Sequence, residues 1–171
     1  MNNTMKYGLM YGLIPAILYL IVYALGMNRD QSALEYIRYG SLVVYCAVIF
    51  LGIRAEREDV LNGFIKFGKA FSTGFRIVLI GTVVASVMSY LYFGVIDTGM
   101  RDFLIVQQEQ ELFDRGLSPE QVDAALPQIE KFMTTPMLLI FGALSSLLIG
   151  SVITLISAAI LKKEDPNEMV G

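Results

Sequence analysis

Four long stretches of this 171-residue chain contain no Asp, Glu, Lys or Arg, and they constrain its fold more than any other feature. An α-helix rises about 1.5 Å per residue, so roughly 20 residues cross a hydrocarbon core about 30 Å thick. Barrel strands are about ten residues long with strict apolar and polar alternation, a pattern that this sequence lacks. The chain is therefore predicted to be an all-α, polytopic membrane protein with four transmembrane helices. The charge-free runs are residues 7–28, 39–53, 77–96 and 132–161.

The second run has only fifteen residues and must be extended at its start to cross a bilayer. Ser32-Ala-Leu-Glu35 has the pattern of a capping box, which predicts a helix start there. Arg38 then lies about one turn inside the span, and its long side chain reaches outward beside Glu35. We interpret Arg38 as an interfacial anchor, with a role in ion or substrate passage as the alternative. The predicted spans form a single domain over residues 1–171 and cover about 7–27, 33–53, 77–96 and 136–161.

The composition argues against several classes of function. Hydrophobic residues make up 55% of the chain and charged residues 17%, whereas soluble domains carry about 25% charged residues. A net charge of −3 argues against a nucleic-acid surface, because phosphate binding needs a clustered basic face. The sequence has no histidine, and no lysine lies within a predicted span. Ser145, Ser146 and Ser151 therefore have no base that could activate them as nucleophiles. We therefore predict that the protein is not an enzyme and has no catalytic, cofactor-binding or metal site.

Lysine and arginine are unevenly divided between the two predicted sides of the membrane. One side has eight and the other has five, and the side with more of them is normally cytoplasmic. Both termini are therefore predicted to be cytoplasmic. The eight are Lys6, Arg54, Arg57, Lys66, Lys69, Arg76, Lys162 and Lys163, and the five are Arg29, Arg38, Arg101, Arg115 and Lys131.

Tyrosine positions give a second indication of the span boundaries, because amphipathic rings are favoured at the membrane–water interface. Seven tyrosines fall near predicted interfaces. Two others, Tyr19 and Tyr45, fall in the middle of spans, so their hydroxyls are expected to find partners inside the helix bundle. The seven predicted interfacial tyrosines are Tyr7, Tyr11, Tyr23, Tyr36, Tyr39, Tyr90 and Tyr92.

The predicted cytoplasmic connection between the second and third spans ends in an aromatic and basic segment, residues 62–76. Asn62-Gly63 marks a turn. Four phenylalanines then recur at spacings of three and four with lysines offset from them, the pattern of a basic amphipathic helix in the headgroup layer. We predict an interfacial helix and interpret it first as a membrane-hugging approach to the third span; the alternative is a platform that binds a cytoplasmic partner or anionic lipid. The candidate surface consists of Asn62, Gly63, Phe64, Lys66, Phe67, Lys69 and Phe71.

The predicted outer connection, residues 97–135, holds three basic and eight acidic residues and has a local charge of −5. Residues 100–115 have a helical pattern that Gly116 ends. Ser118-Pro-Glu-Gln121 is a strong helix start, with a proline at the first helical position and a capping-box glutamine. Pro127 is expected to kink or split the helix that follows. We therefore predict two short extracytoplasmic helices in this connection.

Small residues recur every four positions along the last predicted span. Helices in a bilayer associate through close packing, and small residues allow their backbones to approach. Shorter series of the same kind occur in the first span, from Gly8, and in the third, from Gly81. We predict a helix-packing stripe inside the bundle, with a seam between copies or a partner surface as the alternative. The stripe consists of Gly142, Ser146, Gly150, Thr154 and Ala158.

Segments spread over nearly the whole chain form a combination typical of a known family. They are Lys6-Tyr-Gly-Leu-Met-Tyr-Gly12, Gly52-Ile-Arg-Ala-Glu-Arg57, Asn62-Gly-Phe-Ile-Lys-Phe-Gly-Lys-Ala-Phe71, Tyr90-Leu-Tyr-Phe-Gly-Val-Ile-Asp97 and Leu155-Ile-Ser-Ala-Ala-Ile-Leu-Lys-Lys163. In these segments the chain resembles the small bacterial membrane proteins of domain-of-unknown-function family 4199. The resemblance implies four spans and a location in the bacterial inner (cytoplasmic) membrane. It implies no activity, because the family has none assigned.

The charge-free runs hold no charged side chain, histidine or ligand cluster that could carry out a reaction, and this favours a binding role. We expect a non-enzymatic regulator, scaffold or accessory subunit, with the lipid bilayer, a second copy or another membrane protein as partner, and with no nucleic acid and no cofactor. The alternative is an oligomeric transport or channel component assembled along the stripe that begins at Gly142. Ion paths usually carry buried acids, and the charge-free runs have none.

Overall fold

The computed structural model describes residues 2–164 of the chain, and these residues are organised almost entirely as α-helices. Two of the helices, α2 and α3, continue into π-helical turns, at Glu56–Val60 and Tyr92–Ile96. The six helices are α1 (Asn3–Ala24), α2 (Gln31–Ala55), α3 (Phe67–Leu91), α4 (Met100–Asp114), α5 (Pro119–Phe132) and α6 (Thr135–Leu161).

Four of these helices are long and apolar enough to cross a membrane. They are α1, α2 with its π-helical turn, α3 with its π-helical turn, and α6. The prediction of an all-α protein with four candidate membrane spans is therefore confirmed. The charge-free runs of the sequence identified these four helices correctly, because a charged side chain in the hydrocarbon core is energetically costly.

Helix α2 begins at Gln31, two residues earlier than the sequence pattern predicts. The Asp30 side chain is its N-cap and accepts hydrogen bonds from the backbone N–H groups of Ser32 and Ala33, at 2.8 and 3.2 Å. The predicted capping box at Ser32 is therefore wrong: the carboxylate of Asp30 satisfies the free amides of the first turn, and Ser32 lies inside the helix. Arg38 lies beside Glu35 as expected, with 3.6 Å between guanidinium and carboxylate.

Residues 62–76 do not form a separate helix, so that part of the prediction is wrong. Asn62 and Gly63 have left-handed backbone angles, with φ of 51° and 91°, which end any helical run. Ile65 then forms an isolated antiparallel bridge with Lys163. Helix α3 begins at Phe67 and continues through the predicted boundary at residue 77 without interruption. The aromatic and basic residues from Phe67 onward therefore belong to the first turns of the third candidate span.

The chain divides into two compact units, and residues 89–142 form one of them. This unit contains α4 and α5, joined at Gly116, whose φ is 84°. Ser118 and Gln121 form the expected capping box at the start of α5. Helix α5 runs through Pro127 in one piece, so the proline does not split it. The extracytoplasmic placement of these two helices stays a prediction.

The other unit comprises residues 2–88 and 143–164, and its interior is organised around Tyr11. Tyr11 is fully buried, and its ring stacks on Tyr45 with 4.3 Å between centroids. A Cβ placed on Gly81 would overlap the Tyr11 ring, and one placed on Gly150 would lie 3.1 Å from the Tyr11 hydroxyl. The phenol from α1 therefore contacts α2, α3 and α6. The interfacial position predicted for Tyr11 is wrong, because the glycines open a slot that accommodates its ring.

The small-residue stripe of α6 has two different environments. Gly150, Thr154 and Ala158 are buried within the unit of residues 2–88 and 143–164. Ser146 is half-buried, and Gly142 is exposed, with no described atom within 4 Å of a Cβ built on it. The inner three positions therefore pack against the chain's own helices.

We expect Gly150→Ala to destabilise the protein and Gly142→Ala to leave its stability unchanged or slightly raised. A Cβ on Gly150 would lie only 2.6 Å from Cγ1 of Val78, and overpacking of this kind costs roughly 1–3 kcal/mol. The measurement is the free energy of unfolding of both variants in mixed micelles by denaturant titration. If both variants lost the same free energy of unfolding, the contact between residue 150 and Val78 would not limit packing.

Candidate functional site

The predicted surface residues lie where α1, α2, α3 and α6 meet at one end, which we call the basic end and define as residues 54–69 and 161–163 with Asn3. Two backbone hydrogen bonds join its parts: the Ile65 N–H donates to the Lys163 carbonyl at 2.8 Å, and the Lys163 N–H donates back at 2.9 Å. The Asn3 amide also donates to the Asp59 carboxylate at 3.2 Å. These bonds fix the connection between α2 and α3 to the ends of α1 and α6.

Hydrogen bonds of Arg57 connect the end of α6 to the π-helical turn that follows α2. Its guanidinium donates from Nη1 to the carbonyl of Leu161 at 3.1 Å and from Nε to the Glu58 carboxylate at 3.0 Å. The last carbonyls of a helix have no partner within the helix, and a basic side chain also complements the negative end of its dipole. Arg57 is therefore a structural cap, and it is withdrawn from solvent more than the lysines around it.

Glu56 and Lys69 form an ion pair between the same turn and the start of α3. Glu56 is buried, and its carboxylate lies 3.8 Å from the Lys69 ammonium. The Lys69 side chain is 48% exposed, so nearly half of it faces out of the protein. A half-exposed pair at this distance contributes little stability, and the ammonium stays accessible to an anion from outside.

Backbone geometry at Asn62 and Gly63 shapes the loop before α3. The Gly63 N–H donates to the carbonyl of Arg57 at 2.8 Å, which closes the turn. The following residue, Phe64, is half-buried, and the Lys163 ammonium lies 5.2 Å from the centre of its ring, within range of a cation–π interaction. This turn therefore places one lysine of the basic end over an aromatic face.

The predicted surface residues separate into exposed and packed groups. Asn62, Lys66, Phe67 and Lys69 are exposed, and Gly63 and Phe64 are half-buried. Phe71 packs on the hydrophobic core of its unit and stacks with Phe75 at 5.9 Å. The aromatic series predicted to face the headgroups therefore divides, with Phe67 outward and Phe71 against the core.

Charge at the basic end is strongly positive. Residues 54–69 and 161–163 carry six Lys and Arg side chains and three carboxylates, for a net charge of +3. One of the three carboxylates, Glu56, is buried. Among residues 2–164, no group of three or more His, Cys, Asp or Glu side chains could hold a metal ion. The chemistry that this end offers is attraction of anions by exposed ammonium groups.

The unit of residues 89–142 contains a buried polar pair that the sequence analysis did not predict. The Tyr92 hydroxyl donates to the Asp97 carboxylate at 3.1 Å, and both side chains are buried. The two residues are five apart, a spacing that the π-helical turn at Tyr92–Ile96 brings onto one face and an α-helix does not. Only a pattern search at π-helical spacing could have found this pair, and Tyr92 was instead predicted to be interfacial.

We expect Gly63→Ala to destabilise the basic end and Gly68→Ala to stabilise it slightly. At a φ of 91° a side chain costs about 1–2 kcal/mol. Gly68 lies in the first turn of α3 with open space around a built Cβ, and alanine in a helix gains up to about 1 kcal/mol over glycine. Unfolding free energies in micelles, with hydrogen exchange at residues 62–66, distinguish the two variants. A neutral Gly63→Ala would show that the turn relaxes at no cost.

Comparison with known proteins gives one positive result. The model of the family described as "Protein of unknown function (DUF4199)" matches residues 6–163, nearly the whole chain and all of the basic end except Asn3. Comparison with curated proteins gives no match, and comparison with solved structures gives none. The family suggested by the sequence motifs is thus confirmed, and the chain belongs to the DUF4199 family.

Proposed function

We propose that this protein is a non-enzymatic protein of the bacterial inner membrane whose basic end binds the headgroups of anionic phospholipids. In this role it acts as a regulator, scaffold or accessory subunit that responds to, or gathers, anionic lipid. The observation that carries the proposal is the exposed sequence Lys66-Phe67-Gly68-Lys69 at the start of α3. Two ammonium groups there flank an outward phenylalanine at the end of a candidate span.

This arrangement matches the two parts of a phospholipid. The positive end of the α3 dipole and the two lysines attract a phosphate, and juxtamembrane lysines contribute about 1 kcal/mol each near an anionic surface. Phe67, at 42% exposed, offers apolar surface beside them to the start of an acyl chain. The bonds between Ile65 and Lys163 hold this segment in place before a lipid arrives, so little ordering cost is added on binding.

The uneven distribution of Lys and Arg supports placing the basic end in the cytoplasm and residues 97–135 outside. The inner leaflet supplies the anionic lipid that such a surface requires. The non-enzymatic part of the proposal is supported by the environment of the candidate nucleophiles. The Ser151 hydroxyl donates to the carbonyl of Leu147 in its own helix, at 2.6 Å, and the Ser146 hydroxyl lies 3.2 Å from the Tyr11 phenol and 2.9 Å from the Thr82 hydroxyl. Neither is next to a base that could activate it.

The alternative of an oligomeric transport component has less support. It requires the α6 stripe as the seam between copies, and Gly150, Thr154 and Ala158 are buried against the chain's own helices. A seam could then use only the exposed part of the stripe at Gly142.

We expect Lys66→Gln/Lys69→Gln to weaken binding of phosphatidylglycerol by roughly 30-fold, because two lysines at about 1 kcal/mol each are lost. The measurement is lipid exchange on the full chain in nanodiscs with increasing phosphatidylglycerol content. The matched control, Arg115→Gln/Lys131→Gln, removes the same charge from exposed positions of the outer connection.

Lys69→Gln also removes the partner of Glu56, so the unfolding midpoint is recorded for every variant and Lys66→Gln is measured alone. If a folded double variant binds phosphatidylglycerol like the wild type, or if the control loses as much affinity, the basic end is not the lipid site. Higher salt should weaken binding to the wild type more than to the double variant.

The orientation has its own test. In a Cys46→Ser background, we expect a membrane-impermeant maleimide to label Gln110→Cys in intact spheroplasts and Val60→Cys only after lysis. Both positions are exposed in the structure, so accessibility within the protein does not limit the reaction. The reverse labelling pattern would place the basic end outside the cell and contradict the proposed access to inner-leaflet lipid.

A further inference from the structure

A row of hydroxyl groups crosses the interior of the unit formed by residues 2–88 and 143–164. The Tyr11 hydroxyl lies 3.2 Å from Ser146 Oγ, which lies 2.9 Å from Thr82 Oγ1. The Ser86 hydroxyl extends the cluster by donating to the carbonyl of Thr82 at 2.8 Å. In this cluster every polar group has a partner within the protein, as buried polar groups require.

Tyr45 of α2 lies beside this cluster. Its ring stacks on Tyr11, with 4.3 Å between the ring centroids. Because Tyr45 stacks on a residue of α1, the face of α2 that carries it is turned toward α1. Positions four apart on a helix share a face, so Ser41 lies one turn from Tyr45 on that same face.

Ser41 differs from the other hydroxyls of the row because it has no hydrogen-bond partner among the described residues. Its side chain is buried, with the residue only 6% exposed. An unpaired buried hydroxyl destabilises a folded protein, and ordered water commonly supplies the missing hydrogen bond.

A second hydroxyl without a partner, that of Thr154, lies in a tightly packed contact between helices. Thr154 is completely buried, and its Oγ1 also has no hydrogen-bond partner among residues 2–164. It packs tightly on α3, where a Cβ added to Gly74 would lie 2.6 Å from its Cγ2 and 3.2 Å from its Oγ1. The same Cβ would lie 2.9 Å from Cδ1 of Ile53, so an apolar side chain also adjoins this position. Thr154 therefore occupies a dry, crowded contact and serves as the reference for Ser41.

We propose that Ser41 and Tyr45 form an internal water-binding site between α1 and α2, which fills from the end of α2 that carries Arg38. Arg38 is three residues before Ser41, and its side chain is 66% exposed. A charged group near the hydrocarbon boundary draws water and headgroups toward it. Water at Ser41 supplies the missing hydrogen bond and connects the Arg38 end to the hydroxyl cluster around Tyr11. This site is independent of the proposed lipid function of the basic end.

The first test measures water access through thiol reactivity, because the reactive thiolate forms only where water reaches the sulfur. In a Cys46→Ser background, the full chain in liposomes carries Ser41→Cys and is treated with a small hydrophilic methanethiosulfonate. The matched dry control is Val48→Cys, which is equally buried on the same helix. We expect Ser41→Cys to react at least about tenfold faster, since apolar surroundings suppress thiolate formation. Equal rates would overturn the proposal.

The second test keeps the proposal falsifiable if the cysteine variant folds poorly. Removing a dry, unpaired hydroxyl raises stability, whereas removing a hydrated one does not. We therefore expect Thr154→Val to raise the unfolding midpoint and Ser41→Ala to leave it unchanged or lower it. A midpoint for Ser41→Ala above that of the wild type would overturn the proposal, because it would show that the hydroxyl is dry.

Discussion

The insertion of the Tyr11 ring between glycines is the contact on which the rest of the helix bundle depends. In a bilayer the lipid tails are as apolar as the side chains, so spans associate through close packing and hydrogen bonds between helices. Tyr11 provides both, because its ring fills the space that Gly81 and Gly150 leave open and its hydroxyl reaches Ser146. Its stacking on Tyr45 adds α2 to the same contact. One side chain of α1 thus sets the distances among all four spans in the unit of residues 2–88 and 143–164.

The geometry of the basic end follows from this packing. With α3 and α6 held close at Gly74 and Thr154, the end of α6 reaches the connection that precedes α3. There the backbone of Lys163 pairs with Ile65, and the Leu161 carbonyl accepts a hydrogen bond from Arg57. These bonds involve main-chain groups or a side chain withdrawn from solvent. The exposed lysines beside them keep their ammonium groups at the surface, where an external anion can reach them.

The sequence predicted the features that depend on neighbouring residues and missed those that depend on distant ones. Charge-free length was enough for the four candidate spans, and the cap at Ser118 was correct because its partner is three residues away. Tyr11 was misplaced, since nothing within its own helix separates a buried tyrosine from an interfacial one; the information lies in glycines 70 and 139 positions further along the chain. The bridge from Ile65 to Lys163 joins residues 98 positions apart. With this bridge, residues 62–66 form a turn before α3 in place of the expected interfacial helix.

The protein separates two kinds of polar chemistry. Apart from Asn28 and Cys46, the polar side chains in its charge-free runs carry only hydroxyl groups, while the ionic groups lie outside these runs. Hydroxyls donate and accept hydrogen bonds without the cost of burying a charge, so they can hold water inside a span at little expense to stability. Ammonium groups attract phosphate over longer distances and need solvent or headgroups around them. Neutralising Lys66 and Lys69 therefore leaves the surroundings of Ser41 intact, and removing the Ser41 hydroxyl leaves the charge of the basic end unchanged.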